Sequence, residues 1–163
     1  MEKTADVVII GGGIIGVSMA YYLGKMGAKN VILFEKDLIG MGSTGLCAGG
    51  IRRQWSTEVN MHFALKAFEV FQNFEEEFGA SPEFHQIGYL FLARDEEELE
   101  SFKKNVELQN RFNVPSKLLS REEVKKEWPF LNLRDVFGGA FCHTDGYAGP
   151  SEVTNAIARG ARR

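Results

Sequence analysis

The chain has 163 residues, of which 44% are hydrophobic and 25% are charged, so it can fold as a domain with its own core. The net charge of −3 gives no support to nucleic-acid binding, and no apolar run approaches the roughly 20 residues of a membrane-spanning helix. Two cysteines, Cys47 and Cys142, are too few for a zinc or iron–sulfur site, so no metal is predicted. Because a strand begins at Ala5 or Asp6, a targeting peptide has no room, and a cytoplasmic location is expected.

The first predicted strand runs directly into a glycine-rich turn. Residues 7–10 are an apolar run typical of a buried parallel strand, and a helix is predicted over residues 14–26. Between them, Gly11 permits a tight turn, Gly13 allows a phosphate group to approach the backbone, and Gly16 allows helix and strand to pack closely. The helix would direct its free N–H groups at that phosphate.

The second predicted strand, residues 30–35, ends in an acid. Glu35 lies 19 residues after Gly16, close to the offset of about 20 at which a carboxylate binds the ribose hydroxyls of an adenosine. Its charge disfavours a 2′-phosphate. The segment therefore predicts a dinucleotide such as FAD or NAD, not NADP. The alternative, a tight βαβ turn without a ligand, does not explain four glycines within residues 11–16.

A loop of unusual composition follows, over residues 40–54. Five of its fifteen residues are glycine, yet it also contains isoleucine, leucine, methionine and two arginines, unlike a flexible linker. This composition indicates backbone that must pass close to another group.

A long amphipathic helix is predicted over residues 57–78, and Gly79 would end it. Apolar residues recur every three or four positions and predict one buried stripe. The stripe consists of Val59, Phe63, Ala67, Phe71, Phe74 and Phe78.

The second half of the chain does not continue the β-α-β alternation, which predicts an α+β unit inserted after the first βαβ unit. Only two convincing parallel strands are found, fewer than a stable dinucleotide-binding sheet needs, so further strands from a larger protein or other chains are expected.

The elements predicted in the second half follow in chain order. They are a strand at 87–93, a helix from Asp95 to about Phe112, a short strand at 117–119, a helix from Ser120 to before Pro129, a strand at 136–142, a turn at 143–146, and a helix opening at 149–152.

Six stretches resemble, in order, the family of FAD-dependent amino-acid oxidases and dehydrogenases, which includes D-amino-acid oxidase and the β subunits of sarcosine oxidase and L-proline dehydrogenase. The resemblance implies an α/β fold, with a Rossmann-type FAD-binding βαβ unit and the start of an inserted α+β substrate domain. It implies a division into residues 1–56 for FAD binding, 57–143 for the substrate domain, and 144–163 for a helix that returns to the FAD-binding domain. The stretches are residues 8–16, 34–36, 42–44, 48–54, 88–92 and 144–150.

The family resemblance also implies a reaction and a set of site residues. The reaction is oxidation of the C–N bond of an amino or imino acid by hydride transfer to flavin. Arg52 is the candidate catalytic residue, near the flavin or on a substrate carboxylate, with an ordinary salt bridge as the alternative. The residues assigned to FAD are Gly11, Gly13, Ile14, Ile15, Gly16, Glu35, Lys36, Ser43, Thr44, Gly49, Gly50 and Ile51.

The sequence also permits other functions. The chain could be a non-catalytic truncated or assembly subunit, or, from the glycine fingerprint alone, an NAD-dependent dehydrogenase. His143 is either a catalytic base by residue type or a turn residue. The expected partners are a small amino or imino acid and further protein subunits, identical or different, with no nucleic acid and no membrane span.

Overall fold

The computed structural model describes residues 4–163, which form seven strands and six helices. In chain order they are β1 Val7–Ile10, α1 Ile14–Lys25, β2 Val31–Phe34, β3 Gly50–Ile51, α2 Glu58–Gln72, α3 Phe74–Phe78, β4 Tyr89–Ala93, α4 Glu96–Arg111, β5 Ser116–Ser120, α5 Arg121–Glu127, β6 Gly138–Cys142, β7 Gly146–Tyr147 and α6 Pro150–Ala161.

These elements belong to two compact units that share the chain in alternating segments. The first unit contains the chain up to Gly50, together with Phe71–Phe84 and Ala148–Arg163. The second contains Ile51–Val70 and His85–Tyr147. The chain therefore passes from one unit to the other four times, after residues 50, 70, 84 and 147.

In the first unit, β1 and β2 form a parallel pair in which Val7 lies opposite Val31 and Ile10 opposite Phe34. One face of this pair is covered by α1, where Val17 is buried, and α1 in turn packs against α6. The other face is apolar but open, since Ile10 is 89% exposed. The predicted βαβ unit is confirmed, with helix and strand bounds within a residue or two of those expected.

The inner face of α6 is also as predicted. Val153, Ala156 and Ile157 are buried, and Pro150 occupies the first turn, where its missing N–H is not needed. The aromatic ring of Tyr21 on α1 lies 4.9 Å from that of Phe78, centroid to centroid.

The second unit is built on a three-stranded antiparallel sheet in the order β4-β6-β5. Two predicted helix starts are confirmed by their caps. Asp95 accepts a hydrogen bond from the Glu98 N–H at 2.7 Å, and Ser120 and Glu123 form a complete capping box at the start of α5. The core of this unit includes a cluster of Met61, Leu108, Val114 and Cys142.

The single helix predicted over residues 57–78 is wrong, because the structure divides it into α2 and α3 at Asn73. Its stripe is only partly buried: Phe74 and Phe78 are 1% exposed, but Val59 and Phe63 are 65% and 71% exposed. Residues spaced strictly by four drift by about 40° per step around a helix, so the ends of the stripe face different directions.

The buried side of α2 is instead formed by Met61 and Phe68. These residues are seven apart, which returns a side chain to nearly the same face of a helix. No helix in residues 4–163 is long and apolar enough to cross a membrane.

Candidate functional site

The glycine turn after β1 is held in a conformation that requires glycine at two positions. Gly11 has a φ of +104°, and its N–H donates to the Phe34 carbonyl at 2.8 Å, which continues the β1–β2 pairing into the turn. A Cβ atom at Gly16 would overlap the carbonyl oxygen of Gly11. Helix α1 therefore starts closer to the turn than any residue with a side chain would allow.

The N-terminus of α1 is open apart from one contact. Its N-cap, Gly13, has no side chain to accept a hydrogen bond, and a Cβ there would meet only the Thr44 hydroxyl, at 3.0 Å. Thr44 Oγ1 accepts a hydrogen bond from the Ile14 N–H, also at 3.0 Å. The N–H groups of Ile15 and Gly16 have no partner within the helix, as in every helix start. This end of α1 can bind an anion through its backbone.

The Glu35 carboxylate is fixed beside the same turn. Its Oε2 accepts a hydrogen bond from the Gly12 N–H at 2.6 Å, and its Oε1 accepts one from the Asp37 N–H at 2.9 Å. These N–H groups, Asp37 first and then Gly12, lower the pKa of Glu35. The group is therefore ionised at neutral pH, and each oxygen still has a lone pair that can accept a hydrogen bond from a ligand hydroxyl.

The part of the glycine-rich loop that belongs to the first unit, residues 40–50, is anchored near both of its ends. The Gly40 N–H donates to the Gly12 carbonyl at 2.9 Å, and the Ala148 N–H donates to the Gly49 carbonyl at the same distance. Gly49 has a φ of +70°, and a Cβ there would overlap the Ala148 carbonyl oxygen. The two ends are thus fixed near the glycine turn and near the start of α6.

The remaining predicted cofactor residues have less defined surroundings. Ser43 and Gly50 are exposed. The Lys36 side chain is 91% exposed, and its ammonium lies 4.0 Å from an oxygen of Asp37. Ile51 belongs to the second unit. The structure therefore brings together Gly11–Gly16, Glu35 and Thr44 most closely.

Arg52, the candidate catalytic residue, is held within the second unit. Its Nη1 donates to the Gln54 carbonyl at 2.8 Å, and its guanidinium carbon lies 4.1 Å from the centroid of the Trp55 ring and 5.0 Å from that of Phe91. The faces of these two rings attract the positively charged guanidinium through cation–π interactions. The guanidinium is a planar fork of donors, of which Nη1 is used for the Gln54 carbonyl, and this fork suits a carboxylate or another anion.

The neighbouring arginine is engaged in a buried ion pair that the sequence did not reveal. Arg53 Nε donates to Asp145 Oδ1 at 3.0 Å, and the Arg53 N–H donates to Oδ2 at 2.9 Å. Arg53 also donates to the Thr144 hydroxyl and stacks over the Phe68 ring at 3.7 Å. Asp145 is completely buried. Such a residue pair, 92 positions apart, leaves no local sequence pattern.

The three histidines lie in different parts of the second unit. His143 is exposed in the turn after β6, and the ring of His62 packs edge-on against Phe112 with centroids 5.1 Å apart. His85 pairs with Tyr147 through the backbone within the second unit.

Comparison with known proteins gives matches over nearly the whole chain. Dimethylglycine dehydrogenase from the mitochondria of Rattus norvegicus is 33% identical over 163 residues, which are 99% of this chain and 19% of that protein. The regulatory subunit of mitochondrial pyruvate dehydrogenase phosphatase from Mus musculus is 32% identical over 161 residues, 99% of this chain and 18% of that protein. The chain thus spans about a fifth of the length of these relatives.

A solved structure shows the same fold. L-proline dehydrogenase from P. horikoshii superposes with a TM-score of 0.84 and 42% identity, over 99% of this chain and 42% of that chain. The predicted α/β, Rossmann-type fold of an FAD-dependent amino-acid oxidase is confirmed by this likeness.

A family profile provides the assignment. The FAD dependent oxidoreductase family, DAO, matches residues 6–163. This match favours FAD over NAD as the dinucleotide, and it rules against the reading of the chain as an NAD-dependent dehydrogenase. The chain belongs to the DAO family of FAD-dependent oxidoreductases.

Proposed function

We propose that the first unit binds the adenosine diphosphate half of FAD at the glycine turn. The observation that carries this proposal is the Glu35 carboxylate, which is held 2.6 Å from the Gly12 N–H at the start of α1. The pyrophosphate would lie over the turn and the helix N-terminus, and the ribose hydroxyls would donate to Glu35. The proposed contacts in this unit are Gly11, Gly13, Ile14, Ile15, Gly16, Glu35, Lys36, Ser43, Thr44, Gly49 and Gly50.

The residues present fit such a group. The space beside Gly13 is occupied only by the Thr44 hydroxyl, which is itself a hydrogen-bonding group, so a phosphate can approach the backbone there. Ile51 and Arg52, which belong to the second unit, are proposed as flavin and substrate contacts on the family resemblance alone. The functional division into residues 1–56, 57–143 and 144–163 is proposed on the same basis.

The proposed reaction is oxidation of the C–N bond of an amino or imino acid. When bound, FAD accepts the hydride that leaves the carbon of that bond. The protein's own part is to bind and orient, and we assign Arg52 to a negative charge, either a substrate carboxylate or the reduced flavin ring. Two similar proteins carry names that specify dimethylglycine and L-proline as substrates, which supports this class of substrate.

An absorbance spectrum of the purified chain tests the cofactor proposal. We expect the visible bands of oxidised flavin, and release of FAD on denaturation. A colourless protein that takes up no added FAD would contradict the proposal. Reduction of the bound flavin is then followed with sarcosine, dimethylglycine, glycine, proline and D-amino acids under anaerobic conditions, and bleaching by at least one of these identifies the substrate.

A second candidate function is supported by one of the relatives. The mouse protein that is 32% identical over nearly all of this chain is named a regulatory subunit. A non-catalytic truncated or assembly subunit is therefore the alternative. A yellow protein whose flavin is reduced by dithionite but by none of the amino acids would favour this alternative. In either case we propose other polypeptides, identical or different, as partners and a cytoplasmic location.

A further inference from the structure

A cavity of about 250 Å³ lies within the second unit. It is lined by side chains from the segment that follows β3, from the sheet and from α4. Its lining includes one cation, two amides and two aromatic rings, which are Arg52, Gln54, Gln109, Trp55 and Phe91. Because drug-sized ligands occupy pockets of about 300–1,000 Å³, this cavity suits a smaller molecule.

Each of the two glutamines has a buried oxygen that accepts no hydrogen bond. Gln54 and Gln109 are 5% and 3% exposed. The Gln54 Nε2 group donates to the Tyr89 carbonyl at 2.9 Å, and that of Gln109 donates to the Trp55 carbonyl at 3.1 Å, so both amides are fixed. Their Oε1 atoms are two of the three buried side-chain polar atoms that lack a partner within residues 4–163. A buried acceptor without a donor is costly, so this cavity favours a ligand that carries N–H groups.

The positive charge in the cavity already lies over the aromatic rings. The Arg52 guanidinium carbon is 4.1 Å from the centroid of Trp55 and 5.0 Å from that of Phe91. Arg52 therefore uses a face of each ring, and a quaternary ammonium, which binds through such faces, has less to gain here. The guanidinium fork itself suits a carboxylate.

Resting on the proposed function, we infer that this cavity selects a substrate by the N–H groups of its amine. Arg52 would repel a simple cation, and a simple carboxylate would leave both glutamine oxygens without donors. A zwitterionic amino acid satisfies both requirements, because its carboxylate binds Arg52 while its ammonium donates to Gln54 and Gln109. Two acceptors match the two N–H groups of a protonated secondary amine. The cavity thus takes primary and secondary amines in preference to tertiary and quaternary ones.

Titration calorimetry of the purified chain tests this selection with four ligands that differ only in the methyl groups on nitrogen. Glycine, sarcosine, N,N-dimethylglycine and glycine betaine carry three, two, one and no N–H groups at the same net charge. We expect glycine and sarcosine to bind alike. N,N-dimethylglycine should bind about tenfold or more weakly, since one hydrogen bond from a charged donor is lost, and betaine more weakly still.

Three outcomes would overturn the inference. They are equal binding by all four ligands, tightest binding by betaine, as an aromatic cage would give, and binding by none. The calorimetry does not depend on flavin reduction, so the two proposals can fail separately. A yellow chain that amino acids reduce, but that shows no dependence on N–H groups, retains the proposed function and refutes the selection. A colourless chain that shows the expected series does the reverse.

A variant of one glutamine assigns the effect to its oxygen. Gln109→Met removes one acceptor at nearly the same side-chain length, and the remaining oxygen needs only one N–H group. Sarcosine and N,N-dimethylglycine should then bind alike. Glu107→Ala, an exposed change on the same helix, should retain the wild-type series. A tenfold difference that persists in Gln109→Met would contradict the inference, and if that variant does not fold, the wild-type series decides alone.

Discussion

Glu35 is the side chain on which the proposed FAD site most depends. We expect Glu35→Ala to weaken FAD binding about 10- to 150-fold, the range for loss of hydrogen bonds to a charged group. A fluorescence titration of FAD with purified protein measures this. Glu107→Ala, an exposed change on α4 in the second unit, is the matched control. Equal affinity for the two variants would remove Glu35 from the site.

The same carboxylate predicts a pH dependence of stability. The Asp37 and Gly12 N–H groups lower the pKa of Glu35 in the folded chain, so the stabilisation is complete above the ordinary pKa and is lost as pH falls through the lowered value. We expect the difference in unfolding free energy between the wild type and Glu35→Gln to be constant above about pH 5 and to shrink below it. Urea titrations across this range measure it, and a difference that grows in acid would contradict the assignment.

At the scale of single residues, the sequence could predict a site only where its residues follow a fixed spacing along the chain. Gly11, Gly16 and Glu35 stand at the separations that a phosphate-binding turn requires, and the structure places them at one turn. The ion pair of Arg53 and Asp145 could not be predicted, because residues 92 positions apart meet only through the path of the whole chain. For Arg52 the family resemblance implied a role, but nothing in the sequence indicated that Trp55 and Phe91 would flank it.

At the scale of elements, the packing of α1 on β1 depends on a missing side chain. Gly16→Ala would bring a Cβ into the Gly11 carbonyl oxygen, and we expect it to reduce the unfolding free energy by about 1–3 kcal/mol, as overpacking does. FAD affinity should fall with it, since the turn must move. Gly24→Ala on the same helix is the control.

A Cβ at Gly24 would meet no atom within 4 Å. That substitution should stabilise the chain by about 0.5–1 kcal/mol, because alanine replaces glycine within a helix. Thermal denaturation of both variants separates the two effects. If Gly16→Ala were as stable as Gly24→Ala, the close approach of α1 to the Gly11 turn would not depend on glycine at position 16.

Elements were predicted well where local signals mark their ends. Asp95 and Ser120 cap their helices as their side chains require, and Pro129 follows the end of α5. The helix over residues 57–78 failed for a physical reason: a spacing of four drifts around the axis, and the division at Asn73 lets Phe74 and Phe78 be buried. The core of the second unit, which includes Met61, determines which face of α2 is buried.

For the whole molecule, the buried pair of Arg53 and Asp145 joins the beginning and the end of the second unit. Asp145→Asn would leave the Arg53 guanidinium buried without its counter-charge, and we expect a loss of about 3–5 kcal/mol in unfolding free energy. Urea denaturation measures it. Asp135→Asn, at an exposed aspartate, should change the value by less than about 0.5 kcal/mol.

A double variant distinguishes a charge effect from a change of shape. Arg53→Met with Asp145→Leu removes both charges from this buried position, and it should recover much of the stability that Asp145→Asn loses. If the double variant were the less stable of the two, the pair would act through its hydrogen bonds rather than through compensation of charge. These are the bond that Arg53 donates to the Thr144 hydroxyl and the bond that the Asp145 carboxylate accepts from the Arg53 N–H.

The alternation of the chain between two units could not be predicted from the sequence. The change from β-α-β order to separate strands and helices did indicate an inserted α+β part. Yet the assignment of Phe71–Phe84 to the first unit depends on aromatic contacts such as that of Tyr21 with Phe78, which no local pattern announces.

The alternation of the chain between two units affects the design of truncated variants. Helix α6, residues 150–161, supports α1, whereas the glycine turn lies in residues 11–16. Successive deletions from the carboxyl side therefore remove the support of α1 long before they reach the turn. If the proposed flavin is bound, a yellow colour lost in such a series would report a collapsed helix pair and not a deleted ligand contact, so point substitutions are needed to map the proposed flavin contacts.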